Sequence, residues 1–301
     1  MTSHNLLEQF RAFYFRSYPD DMETLITHFS IFGGLELSID TSQPLDILIQ
    51  EHILENFTEL AKKIEQITQK DDLNRRLLRA LAVGDRRIFS AFKRAGLNNG
   101  NGGAALEMLQ EKGVITLEYS RERHPKERKG SQKLSREEAR HRISHKVLFT
   151  QPFIRFWFYF VSRHKKEILA GDYEAFFEAI HTRLGSYTSL VFEELSEMLL
   201  NYHIRDAQIL SSGSYWDANT EIDILTITDD ERIFVGECKW TNHKVNKKEC
   251  HKLKEKCEKL GIEPTQMLFF SKRGFSKELL SLQSPSLALY SAEDFSILLK
   301  N

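Results

Sequence analysis

Thr220-Glu221-Ile222-Asp223-Ile224-Leu225-Thr226-Ile227, followed after Asp229-Asp230-Glu231-Arg232 by Phe234-Val235-Gly236-Glu237-Cys238-Lys239-Trp240, is the stretch on which the fold of this chain turns. Both runs alternate with period two, the mark of a β-strand. On that alternation Glu221 and Asp223 share one face, as do Glu237 and Lys239, while Ile222, Ile224, Cys238 and Trp240 point the other way. The four polar residues between the runs suit a turn joining an adjacent pair, although they lack the Asn-Gly of the tightest hairpins. A face with carboxylates and a lysine is not a plain core face.

On both sides the pattern reads as a mixed α/β unit. Ahead of the pair, residues 186–203 form a helix with Leu190, Val191, Leu195, Met198 and Leu199 inside and Glu193, Glu194 and Glu197 as its acids. Ala207 to Leu210 is a short strand and Gly213-Ser214-Tyr215-Trp216 a turn. Behind the pair come a basic amphipathic helix over 243–260, a strand at Gln266 to Phe270, a loop at Ser271 to Ser276 and a last strand at Leu287 to Tyr290.

Further upstream, residues 70–120 predict three helices and a strand, punctuated by Asp71 or Asp72, Gly84, Asp85, Gly96 and Gly113, in the spacing of a winged helix-turn-helix. The third helix, read from Gly103, carries one lysine against two glutamates, so base readers would have to be Asn98, Asn99 and Asn101. Between Arg121 and Lys146 ten Lys or Arg face four Glu. The opening of that segment is a solvated wing tip or a basic arm, and Arg121, Arg123, Lys126, Arg128, Lys129 and Lys133 are its candidate phosphate ligands. The aromatic run Val147 to Phe160, broken by Arg155, reads as a buried helix joining two domains rather than a base-stacking platform. Residues 1–69 read as helical. The chain is thus expected to be an α+β multidomain protein: a helical region at 1–69, a winged helix with a basic wing at 70–146, and an α/β domain with a mixed central sheet at 147–301.

Composition narrows the classes. The 301 residues carry 42 Lys and Arg against 43 Asp and Glu, so a nucleic-acid partner has to be argued from local clusters. Glu8 and Arg11 fall where a secretory core would be apolar, no run reaches membrane length, and three cysteines make no disulfide framework. A cytoplasmic protein without a membrane partner is expected.

Two or three carboxylates held close repel one another unless a cation lies between them. A hard divalent ion, Mg²⁺ or Mn²⁺, answers that, and a lysine beside it can stabilise charge developing on phosphorus. Asp223 with Glu237-x-Lys239 is therefore a sensible set for hydrolysing a phosphodiester. A zinc site from His243, Cys250, His251 and Cys257 fits poorly, since the cysteines lie on the apolar helical stripe and His251 turns away. Cys238 sits on the opposite strand face and reads as core.

Gly213-Ser214-Tyr215-Trp216, Glu221-Ile222-Asp223, Gly236-Glu237-Cys238-Lys239-Trp240 and Leu268 to Phe275 resemble the PD-(D/E)XK restriction-endonuclease-like superfamily, and within it the nuclease-like domain of unknown function found behind archaeal-type AAA ATPases. Phe156-Trp157-Phe158 and Phe192-Glu193 extend the likeness, which covers roughly residues 147–290. The resemblance implies a restriction-endonuclease-like fold, Asp223 and Glu237 as metal ligands, Lys239 as catalytic lysine and Glu193 as the helix carboxylate, with Glu194 as the neighbouring choice. Glu221 is left as a supporting or solvated acid. No Gly-x-x-x-x-Gly-Lys-Ser/Thr occurs, so no ATP hydrolysis by that route is expected, and residues 1–69 resemble an ATPase lid without its nucleotide-binding core. Two functions follow: a metal-dependent DNA nuclease, or a catalytically inactive DNA-binding or adaptor protein using the winged helix and arm. A separate ATPase or protein partner and a homodimer stay open.

Overall fold

In the computed structural model, which describes residues 2–122 and 142–300, the N-terminal half is helical and the C-terminal part is built on a mixed five-stranded sheet. Helices α1 (Thr2–Ser17), α2 (Met22–Phe32), α3 (Leu45–Ile49), which runs on into a π turn at Gln50–Leu54, and α4 (Phe57–Ile67) come first. Asp21 caps α2, its carboxylate accepting from the Thr24 amide at 2.7 Å. Leu25, Ile26, Phe29, Ile31 and Phe32 of α2 are fully buried, so this helix is core on nearly every side.

Next come α5 (Asp72–Val83), α6 (Ile88–Ala95), α7 (Asn99–Glu111) and the antiparallel strands β1 (Ile115–Glu118) and β2 (Lys146–Phe149), paired Ile115 to Phe149 through Glu118 to Lys146. Of the two expected caps, Asp71 serves α5, accepting from the Leu73 amide. Gly96 ends α6 at φ 64°, a left-handed conformation that glycine adopts at little cost. Helix α7 starts at Asn99 instead of Gly103 because Asn98 caps it, accepting from the Asn101 amide at 2.8 Å. One of its glycines has a packing reason: a Cβ on Gly102 would lie 2.6 Å from the Phe92 ring, so the helices meet there only without a side chain. Arg86 and Arg87 strap this unit to β2, the Val147 amide donating to the Arg86 carbonyl and the Ile88 amide to that of His145, each at 3.0 Å.

The aromatic run is split between two elements. Residues 147–149 belong to β2, so the expected boundary at 146/147 falls within a strand that pairs with β1. Gln151 and Pro152 open α8 (Pro152–Tyr159), whose ring-bearing side chains are buried except for a partly exposed Tyr159. A 3₁₀ turn (Val161–Arg163) and α9 (Lys165–Leu169) lead into α10 (Glu174–His203), a 30-residue helix where a shorter one over 186–203 was expected. At about 45 Å it is the spine of the molecule. The buried Tyr187 of α10 donates its hydroxyl to the carbonyls of Ser30 and Pro152. Arg155 of α8 stacks on the Tyr187 ring, 4.2 Å from its centroid, and donates to the Tyr187 carbonyl.

The sheet order is β3 (Ile209–Ser211), β6 (Ile224–Thr228), β7 (Ile233–Lys239), β8 (Gln266–Ser271) and β9 (Leu287–Ser291). The pairs β3/β6 and β6/β7 are antiparallel, and β7/β8 and β8/β9 are parallel. Helix α11 (Lys247–Leu260) makes the crossover that the first parallel pair requires, and α12 (Lys277–Leu280) lies in the second. A separate ribbon pairs β4 (Tyr215–Trp216) with β5 (Glu221–Ile222). One sheet face, with Ile224, Phe234, Cys238, Leu268 and Phe270, joins a hydrophobic core continuous with the N-terminal helices. The other, with Leu225, Val235 and Phe269, packs with Cys250, Leu253 and Cys257 of α11. The zinc candidates Cys250 and Cys257 are therefore core residues, and among the described residues no group of three or more His, Cys, Asp or Glu is placed to hold a metal ion.

Candidate functional site

The expected strand over 220–227 is broken at Asp223. Residues 221–222 pair with β4, Asp223 forms a bend, and β6 begins at Ile224. The break changes the facing: Ile222 packs with Leu225 on the α11 side, whereas Ile224 goes to the opposite core with Cys238 and Trp240. Strict alternation across 222–224 does not hold. The bend nevertheless brings Asp223 to the start of β6, beside β7, where its Oδ2 accepts from the Cys238 amide at 2.8 Å.

Glu237 is 7% exposed, on the face covered by α11. Lys239, two residues on and so on the same face, donates to its Oε1 at 2.6 Å, and Lys256 of α11 donates to its Oε2 at 2.7 Å. Glu249 of α11 lies 3.6 Å from the Lys239 ammonium and 2.7 Å from Lys252. Burial, then the like charges of Glu193 and Glu237, push the Asp223 carboxyl well above the ordinary carboxylate range, against the Cys238 amide and Lys239. Burial pulls the Lys239 ammonium down, but Glu237, Asp223 and Glu249 together leave it raised. The corner is thus an acidic pocket whose cations are side-chain ammonium groups.

Glu193 approaches from α10. Burial raises its pKa, Glu221 adds to that, and Arg86, Lys146 and Arg155 oppose it. Its charge acts on Asp223, which separates it from Glu194. Glu194 is half-buried, and the desolvation of its carboxyl pushes it up to about 8 against the opposing charges of Arg86 and Arg155. Of the two acids left open by sequence, Glu193 is the one whose charge raises the Asp223 carboxyl.

Glu221 is exposed, and its carboxylate forms an ion pair with the buried Lys146 of β2. Burial tends to raise its pKa, but Lys146 holds it below the usual range. Lys146 also lies over the Trp216 ring, 4.4 Å from the centroid. The indole N–H of Trp216 donates to the Ser144 carbonyl, and Glu118 of β1 accepts from both the amide and the hydroxyl of Ser214 at 2.7 Å. Gly213, at φ 134°, leaves room for that carboxylate, since a Cβ would sit 3.0 Å from Glu118 Oε1. Gly213 to Trp216 is therefore a joint between the helical half and the sheet.

Arg121 also belongs to the joint, which corrects its place among the phosphate ligands. Its guanidinium donates to the carbonyls of Leu225 (2.8 Å), Gly213 (2.7 Å) and Ser214 (3.0 Å). Arg123, Lys126, Arg128, Lys129 and Lys133 lie outside the described residues. Asn98 is a helix cap rather than a free base reader. Lys256 and Glu249 escaped the sequence reading because they lie on the crossover helix, and only their contacts across the fold with Glu237 and Lys239 bring them to the corner.

As a donor set, Asp223, Glu237 and Glu193 offer hard carboxylate oxygens under mutual repulsion, which suits a hard divalent cation in kind. With both oxygens of Glu237 held by lysines, the three are not gathered as a ligand group here. No membrane-length apolar helix occurs among the described residues. No curated protein and no solved structure matches the chain. Residues 157–253, less than half of the chain, match the family model DUF234, described as archaeal and bacterial proteins of unknown function, and the matched segment runs from α8 into α11 and includes Glu193, Asp223, Glu237 and Lys239.

Proposed function

We propose that the protein is a metal-dependent DNA nuclease of the PD-(D/E)XK kind, with a restriction-endonuclease-like domain built on the mixed sheet and a winged helix in α5 to β2. The observation that carries this reading is the meeting of Asp223, Glu237 and Lys239 at adjacent strands, with Glu193 turned toward them from α10. Asp223, Glu237 and Glu193 would hold Mg²⁺ or Mn²⁺. When bound, such an ion neutralises the acids and makes a coordinated water more acidic. Lys239 has the position and charge to steady a phosphoryl oxygen as negative charge grows on it. Lys256 would release Glu237 to the ion and stay as a second ammonium beside the substrate.

The test is incubation of plasmid, linear and single-stranded DNA with Mg²⁺ or Mn²⁺. Glu237→Ala and Lys239→Ala should each lower cleavage at least about 100-fold, as loss of a major electrostatic group does. Wild type that cuts none of the substrates, or variants that cut as well, would end the enzymatic reading. One observation favours a second function, a non-catalytic DNA-binding or adaptor protein: Glu237 already has both oxygens satisfied by Lys239 and Lys256. DNA affinity that survives Asp223→Ala and disappears on deleting residues 123–133, without cleavage, would select it.

A further inference from the structure

Away from the sheet, a groove of about 480 Å³ opens between α5, the end of α6 and the 3₁₀ turn at 161–163. Arg76, Arg79, Arg94 and Arg163 line it, no acidic residue does, and Ala80 and Val83 give it an apolar floor. Arg76 is fixed, donating to the carbonyls of Ala95 and Gly96 at the end of α6. Arg79, Arg94 and Arg163 are exposed, and among the described residues none forms a salt bridge with a carboxylate. This differs from the rest of the chain, where acids and bases balance and most arginines near the sheet are paired or donate to backbone. An adjoining cleft of about 220 Å³ shares Arg79 and adds Arg75 and Lys165 against a single acid, Glu65.

Four guanidinium groups around one groove repel each other, and an anion that bridges them removes the repulsion. Guanidinium forks match the oxygen spacing of phosphate and bind it in bidentate fashion, which makes arginine more selective for phosphate than a point charge would be. The volume is within the range of small-molecule sites, and the opening on one side would also admit a strand. We propose that this groove binds phosphate groups, carried by a nucleoside triphosphate or by the backbone of a nucleic acid. The proposal does not depend on the acidic corner being a nuclease site.

The experiment is fluorescence polarisation on the full chain with two probes: a labelled nucleoside triphosphate, and a labelled single-stranded oligonucleotide with inorganic tripolyphosphate as competitor. Arg79→Glu combined with Arg94→Glu is compared with Lys62→Glu combined with Lys63→Glu, an equal charge change at exposed positions of α4. For at least one probe the groove variant should weaken binding about tenfold or more, while the control stays within about twofold. On an oligonucleotide the salt dependence should also flatten, by about one unit of slope per lost phosphate contact. The probe that responds identifies the carrier. If neither probe binds wild type at low salt, or the two double variants lose affinity equally, the proposal is wrong. The readout is affinity at the groove and not cleavage, so a failed nuclease test does not bear on it.

Discussion

At the joint between the helical half and the sheet, Arg121 is locked by three backbone carbonyls and Lys146 by Glu221 and the Trp216 ring. At the acidic corner, Glu237 is held only by the ends of two long lysine side chains, both more exposed than it is. The two regions bury charge to different ends. Backbone carbonyls cannot move without breaking the sheet, so the joint's cations are structural. Lysine ammonium groups can swing away on flexible stems, which is what the proposed exchange for a divalent ion requires while the strands stay in place. A buried charge is destabilising when its partner is removed, and the penalty depends on whether anything else can take the partner's place.

The contrast breaks most readily at Arg121. Arg121→Ala leaves the carbonyls of Leu225, Gly213 and Ser214 without this donor and should destabilise the fold by about 2–4 kcal/mol, since each unsatisfied buried acceptor costs about 1–3 kcal/mol before water compensates. Chemical denaturation would read this as a lower midpoint. A midpoint within error of wild type would mean that Arg121 is dispensable to the joint and free for a ligand after all.

A smaller effect of opposite sign is expected at the corner. Asp223→Asn keeps an oxygen for the Cys238 amide but removes one of the crowded negative charges, so stability should be unchanged or higher by up to about 1 kcal/mol. Millimolar Mg²⁺ or Mn²⁺ should raise the melting temperature of wild type and leave that of Asp223→Asn unmoved. A clear loss of stability in the variant would make the corner a second structural joint.

How far these regions could be read from sequence follows from the same difference. The strand pair, the carboxylates and Lys239 were legible because alternation and local spacing bring them together. The bend at Asp223 was not, because it arises from the pairing of 221–222 with Tyr215 and Trp216, a contact that period two does not encode. Arg121 sat in a basic run and looked solvated; its partners lie about a hundred residues downstream, and nothing local marks them. Lys256 was hidden for the same reason. In α7, read from Gly103, the earlier start was hidden because it is Phe92 on the neighbouring helix that makes Gly102 fit.

His28 marks the limit of the contrast, a buried titratable group that has no carboxylate in contact. Its Nδ1 lies 2.8 Å from the Thr24 carbonyl and its Nε2 has no hydrogen-bond partner. Burial pulls its pKa below the usual value of 6.5, with the Thr24 carbonyl and Asp21 opposing only in part. Because the folded pKa is the lower one, the unfolded chain binds the proton more readily in acid, and stability rises with pH across that interval. The contribution is therefore fully present above about pH 6.5 and is lost as the pH falls toward the folded pKa. His28→Leu should flatten this part of the stability profile, by less than about 1.4 kcal/mol for each pH unit between the two values. Denaturation midpoints of wild type and variant between pH 5 and 7.5 give the measurement. Parallel profiles would mean that the ring takes up protons alike in the folded and unfolded chain, with Asp21 and the Thr24 carbonyl offsetting burial, which would place His28 with the joint, where charge is matched by fixed partners.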